Sequence, residues 1–245
     1  MRVKIAIAAV VAGLASSALA QHHHWSYSGE GAPQNWGKLD KEFATCSSGK
    51  TQSPIDVTAA MKGDLAPLSF DYRGGTAEIL NNGHTVQVNY QPGSTLTAGG
   101  RRFELKQFHF HAPSENTFNG RHFPLEGHLV HADKDGKLAV VAVMFSEGAA
   151  NPLLAALWKT MPAKEGDKGG LTEQRSALEM LPAERDYYQF TGSLTTPPCS
   201  EGVLWLVIKK PATASKAQLE AFSKTMGFAN NRPVQPLNAR QVLSR

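Results

Sequence analysis

Residues 103–111, 125–131 and 138–145 are three strand-length runs rich in apolar residues, and turn signals separate them. Asn119-Gly120 and Asp135-Gly136 are dipeptides that accept the positive φ of a tight reversal between antiparallel strands. The three runs therefore read as successive antiparallel strands. Residues 77–80, 85–90 and 203–209 add similar runs, with Asn82-Gly83 and Pro92-Gly93 as further turns. Helical signals are few. Ser215-Lys216-Ala217-Gln218 is a capping box leading to Leu219, Phe222 and Met226 on one face, and Gly227 ends that helix. A second short helix is expected over 151–159. No strand–helix alternation of the doubly wound kind appears. The expected fold class is mainly β (α+β): a single domain with a large central, mostly antiparallel twisted sheet and short peripheral helices.

The N-terminus sets the compartment. Arg2 and Lys4 precede a short apolar run, and Ala18-Leu19-Ala20 ends it with a small-residue cleavage pattern. Residues 1–20 read as a signal peptide, and 21–245 as one catalytic domain. The apolar run is roughly half the ~20 residues a membrane span needs. Cleavage removes two of 25 basic residues, leaving 23 against 21 acidic ones, so the net charge falls from +4 to +2. No basic stripe is present to grip a nucleic acid, and no membrane partner is expected. Cys46 and Cys199 are the only cysteines. In an exported chain such a pair reads as a disulfide, the competing reading being metal ligation, for which Cys-x-x-Cys spacing is lacking. The expected location is the periplasm, with full secretion second.

Chemistry concentrates in Gln107-Phe108-His109-Phe110-His111. Alternation on a strand puts His109 and His111 on one face, Phe108 and Phe110 on the other. A zinc ion would satisfy two such imidazoles at about 2.0–2.1 Å; a surface pair with ordinary hydrogen bonds is the plainer alternative. On the next strand Glu126, His128 and Val130 share a face, so His128 can complete a three-histidine set with one open coordination position. Gln107 and Glu126 are placed to orient His109 and His128. His122 is assigned to a loop and His131 to the far face of its strand. His22 to His24 read as a mobile terminal run, with a zinc-gathering tail as the alternative. Thr195, in Gly192-Ser193-Leu194-Thr195-Thr196-Pro197-Pro198, can donate to a carboxylate and still accept, and Glu115 is the candidate carboxylate. His84 follows the Asn82-Gly83 turn, and its plain reading is a turn histidine with no further duty.

Together these stretches resemble the α-class carbonic anhydrases, above all exported bacterial members. The resemblance runs from Trp25-Ser26-Tyr27 to Arg240, through Gln52-Ser53-Pro54-Ile55-Asp56, Asn81-Asn82-Gly83-His84, the two histidine strands, the Thr195 turn and Asn231-Arg232-Pro233-Val234-Gln235-Pro236-Leu237. It implies one zinc ion on His109, His111 and His128, and a Thr195–Glu115 pair that orients a zinc-bound hydroxide. That hydroxide forms because the bound water has a pKa of about 7, a value carried over from carbonic anhydrases themselves. Val130, Val140, Leu194 and Trp205 match the apolar wall for carbon dioxide, Thr196 its polar neighbour, His84 the proton shuttle, and Asn230 a carbonyl that fixes the middle histidine. The implied reaction is reversible hydration of carbon dioxide to bicarbonate and a proton, with esterase side activity, by a monomer or homodimer. The family likeness also places the Cys46–Cys199 bridge beside the Thr195 turn. Three departures stand out: Ala112, Phe190 and Gly127 replace a tryptophan, a tyrosine and a leucine common in the family.

Overall fold

The computed structural model describes residues 24–75, 78–171 and 173–245; the expected signal peptide, His22 and His23 lie outside the described residues. Its frame is a 13-stranded sheet. Along the main path the neighbours are Lys168–Gly170, Glu78–Asn81, Val86–Asn89, Arg101–His111, Leu125–Ala132, Leu138–Glu147, Glu201–Ile208, Tyr187–Ser193, Leu243–Ser244 and Met61–Lys62. Most pairs are antiparallel. The central pair of Leu138–Glu147 and Glu201–Ile208 is parallel, with Ala139 opposite Leu204 and Ala142 opposite Val207. The fold is the expected mainly-β class with helices at the periphery.

Side-chain alternation divides the sheet into two faces. From the strand Leu138–Glu147, Ala139, Val141, Val143 and Phe145 enter one core cluster, while Val140, Ala142 and Met144 enter another. Both faces are covered, which is why this run is continuously apolar. On Leu125–Ala132, Leu125 and Leu129 join the first cluster, and Val130 packs on the second. Arg101–His111 needs one irregularity to obey the same rule. Phe103, Leu105, Phe108 and Phe110 all join the first cluster although the step from 105 to 108 is odd. A register shift between Leu105 and Gln107 absorbs the extra residue. This bulge sends Phe108 and Phe110 into the core and aims Gln107, His109 and His111 the other way. Full burial of each ring contributes about 1.5–3 kcal/mol.

The first cluster is roofed by two helices. Asn151 caps Pro152–Trp158 by accepting from the amides of Leu153 and Leu154 at 3.0 and 3.1 Å. Lys216–Met226 starts with the expected capping box at Ser215 and stops at Gly227, whose φ of 72° suits only glycine well. Leu153, Leu154, Leu157, Leu219, Phe222 and Met226 face the sheet. Among the described residues no helix is long and apolar enough to cross a membrane.

One turn differs from expectation. Asp135-Gly136 does close the hairpin between Leu125–Ala132 and Leu138–Glu147, with Gly136 N–H donating to Asp133 O at 3.1 Å. Asn119-Gly120 adopts positive φ but closes only a small local loop, Phe118 and Arg121 exchanging hydrogen bonds of 3.1 Å. The chain between the two histidine strands is instead an excursion, residues 112–124, in which Thr117–Phe118 pairs with Asp56–Val57. Contacts with that distant segment outcompete a direct hairpin, and the excursion carries Glu115.

Candidate metal centre

His109 and His128 are direct partners across the sheet, and His111 stands opposite Glu126. One ring nitrogen from each of His109, His111 and His128 lies within 4.8 Å of the others. The remaining nitrogens are committed elsewhere. His109 Nδ1 is 2.8 Å from Gln107 Oε1, His111 Nδ1 is 2.7 Å from the Asn230 carbonyl, and His128 Nε2 is 2.9 Å from Glu126 Oε1. Nε2 of His109, Nε2 of His111 and Nδ1 of His128 are left to converge.

His111 Nε2 and Glu115 Oε2 are buried without hydrogen-bond partners. Burial holds the His109 and His128 rings well below the usual imidazole range, with the neighbouring histidines pushing the same way. Neutral imidazoles with a converging, orphaned nitrogen are a donor set that a divalent cation satisfies. The residues present fit a metal ion.

Glu126 anchors the centre from behind. Its Oε2 accepts from the amides of Glu115 and Asn116 at 2.6 and 2.9 Å, and its Oε1 from the Asn116 side chain at 2.7 Å. Glu115 Oε1 accepts from the Arg232 amide at 2.8 Å, while Oε2 faces His111 Nε2 at 3.5 Å. Burial pushes the Glu115 carboxyl up to about 8, and the Arg232 amide and Thr195 hydroxyl pull it back. Val140 and Trp205 are buried beside this centre, with Val130 and Leu194 packed on the same cluster. Thr195 is buried and Thr196 half-buried. The Trp205 ring meets His128 edge-on at 5.0 Å. His84 lies farther out, half-buried; its carbonyl accepts from Asn230 Nδ2 at 3.0 Å. Asn230 thus touches both His84 and His111.

Cys46 and Cys199 form a disulfide across 153 residues of sequence. Cys199 N–H donates to Thr196 O at 2.8 Å, tying the bridge to the Thr195 turn. Gly127 is explained by packing: a Cβ there would meet Met180 Sδ at 2.8 Å. Phe190 stacks parallel to Trp205 at 6.0 Å, and the Ala112 amide donates to Asn230 Oδ1 at 2.8 Å. His122 Nδ1 is 2.6 Å from the Ser114 carbonyl in its loop. His131 is buried on the far face, where its Nε2 lies 2.5 Å from the Tyr72 hydroxyl.

Two residues escaped sequence reading. Arg232 is buried, its guanidinium donating to Gln52 Oε1, Ser53 O and Cys46 O at 2.9, 2.7 and 2.9 Å. The Asn-Arg-Pro triplet gives no local hint of that. His24, expected to be mobile, packs against His84 with ring centroids 5.2 Å apart. Trp25 next to it supplies a flat surface that draws the segment onto the body, 3.7 Å from the His84 ring.

A wide sheet with three imidazoles converging on one face defines a protein built around one candidate metal centre. Comparison with known proteins narrows the class. The model of the eukaryotic-type carbonic anhydrase family matches residues 31–245. A carbonic anhydrase of Pectobacterium carotovorum is 48% identical over 243 residues, covering 99% of this chain and 100% of that protein. One from Klebsiella pneumoniae is 50% identical over 222 residues, 90% of each. The solved α-carbonic anhydrase of Thermovibrio ammonificans, in complex with the inhibitor sulfanilamide, superposes with a TM-score of 0.89 at 51% identity, covering 90% of this chain and 99% of that one. The chain belongs to the eukaryotic-type, or α, carbonic anhydrase family, and is an enzyme of that class.

Proposed function

We propose that this enzyme interconverts carbon dioxide with bicarbonate and a proton, using one zinc ion held by His109, His111 and His128. The observation that carries the reading is the convergence of three neutral imidazole nitrogens within 4.8 Å, each ring fixed from its other side. An all-nitrogen set of three suits a catalytic zinc with a free fourth position. When bound, zinc supplies positive charge that favours ionised Glu115 and lowers the pKa of water to about 7, making it nucleophilic near neutrality.

The protein's own groups then set direction. With the ion bound, Thr195 would donate its hydroxyl proton to Glu115, whose Oε2 has no other hydrogen-bond partner, leaving the hydroxyl oxygen only acceptor capacity for the attacking water. Glu115 is held in register by the Arg232 amide. Val130, Val140, Leu194 and Trp205 give carbon dioxide, which has no net dipole, an apolar resting surface, and Thr196 offers a hydroxyl at its edge. His84 accepts the proton released in each turnover and hands it toward solvent. The same nucleophile would act more slowly on activated esters. The reading includes export to the periplasm behind the signal peptide 1–20, with residues 21–245 as the catalytic domain; the disulfide fits an oxidising compartment.

A pH-indicator hydration assay tests the reading. The purified protein should accelerate hydration, lose that activity on chelation and regain it with zinc. A zinc-loaded protein with no rate above buffer would overturn it.

A further inference from the structure

The chain that carries His84 parts from the histidine strand at a single side chain. Val86–Asn89 pairs with Arg101–His111 through Gln87 and His109, Val88 and Phe108, and Asn89 and Gln107, and the register stops there. One rung further would set Val86 against Phe110, the residue between His109 and His111. At that rung the buried Thr85 hydroxyl stands in for backbone. It donates to the Phe110 carbonyl at 2.6 Å and accepts from the Phe110 amide at 3.2 Å. Asn230 Nδ2 donates to the same carbonyl at 2.9 Å and to the His84 carbonyl at 3.0 Å. The His84 and Thr85 amides both donate to Asn82 Oδ1, at 3.0 and 2.9 Å.

We propose that Thr85 is a positioning residue for proton transfer, its hydroxyl fixing where His84 stands relative to the metal centre. The proposal rests on His84 being the proton shuttle. A continued ladder would carry residue 84 on along the histidine strand. A rung made by a side chain ends the ladder, so the chain leaves the sheet at Thr85 and His84 emerges half-buried beside it. A hydroxyl suits this task because it donates and accepts at once, matching the carbonyl and the amide of one residue. Its partner is itself fixed: the Phe110 ring is buried in the core, and the residues on either side carry two of the converging nitrogens. Thr85 thus ties the backbone of the shuttle to the residue between two ligands. Transfer between groups held apart depends steeply on their placement, so such an anchor is felt in the rate. Valine keeps the shape and the β-branch of threonine but can neither donate nor accept.

The test compares wild type, Thr85→Val, Thr85→Ser and His84→Ala as zinc-loaded enzymes. In dilute buffer Thr85→Val should lower kcat by about two- to fivefold while kcat/KM for carbon dioxide holds, because only proton removal is slowed. Thr85→Ser, which keeps the hydroxyl, should restore the wild-type kcat. Concentrated imidazole buffer should restore it in Thr85→Val by bypassing His84. A loss of stability alone would move none of these readouts. If Thr85→Val fails to fold, Thr85→Ala takes its place with the same expected split. An unchanged kcat in the variant without the hydroxyl, beside a slowed His84→Ala, would overturn the positioning role alone. So would kcat and kcat/KM falling together, which would assign the hydroxyl to the metal strand. An unchanged kcat for His84→Ala would overturn the shuttle itself.

Discussion

His109 and His128 face each other across adjacent antiparallel strands, ring centroids 5.3 Å apart and planes at 84°. Direct opposition in the sheet fixes the two rings without any loop between them. His111, two residues on, adds the third nitrogen from the same face. A donor set built on paired strands is rigid, so its grip on metal depends on what orients each ring from behind.

Glu126 is the most heavily supported of those orienting groups. Replacing it, Glu126→Gln, should weaken zinc affinity by about 10- to 100-fold, read by competition with a chelator. His128→Ala should remove zinc and activity together. Wild-type affinity in Glu126→Gln would mean that the 2.9 Å contact to His128 does not tune the metal.

Gly127, between those two residues, leaves room for the Met180 sulfur. Gly127→Leu should cost about 1–3 kcal/mol through overpacking, measured by urea unfolding. Adding Met180→Ala, which clears the sulfur at 2.8 Å, should recover much of the loss. No recovery would place the clash elsewhere, for example on the Phe110 ring.

Much of this centre can be read from period-two patterning alone. His109 and His111 against Phe108 and Phe110, and His128 against Leu129, take the faces that alternation dictates. The helix from Lys216 to Met226 is legible in its capping box and its glycine stop. What stays hidden depends on contacts between segments distant in sequence. The parallel pairing of Leu138–Glu147 with Glu201–Ile208, the Arg232 network reaching Cys46, and the failure of Asn119-Gly120 to close the main hairpin leave no local signature. The packing of His24 and Trp25 on the His84 ring is likewise invisible in a polar terminal run, because it depends on a residue 60 positions away.

His131 should make the fold acid-sensitive. Burial lowers its pKa from 6.5 to about 4, with hydrogen bonding to the Ala139 carbonyl pulling back. The unfolded chain takes up a proton near 6.5 that the folded one refuses, so stability is full above that pH and falls as pH drops toward about 4. The total loss from this group is about 3 kcal/mol. Unfolding midpoints from pH 7 to 4 should fall less steeply in a Tyr72→Phe, His131→Leu double variant, which removes both polar partners. An identical slope would assign the acid sensitivity to other groups.

The bridge should matter most to the unfolded state. Closing a loop across 153 residues is worth about 5 kcal/mol in the chain-entropy picture. Cys46→Ser, Cys199→Ser should lose stability of that order in denaturant titration, and a loss below about 1 kcal/mol would contradict the entropic account.

The central claim is that one metal ion on His109, His111 and His128 drives carbon dioxide hydration. Zinc titrated into chelator-treated protein, with hydration rate followed at each addition, tests it most directly. The account predicts a linear rise that breaks at one zinc per chain. Protein that binds its zinc without gaining hydration activity, or that is fully active with none, would contradict it.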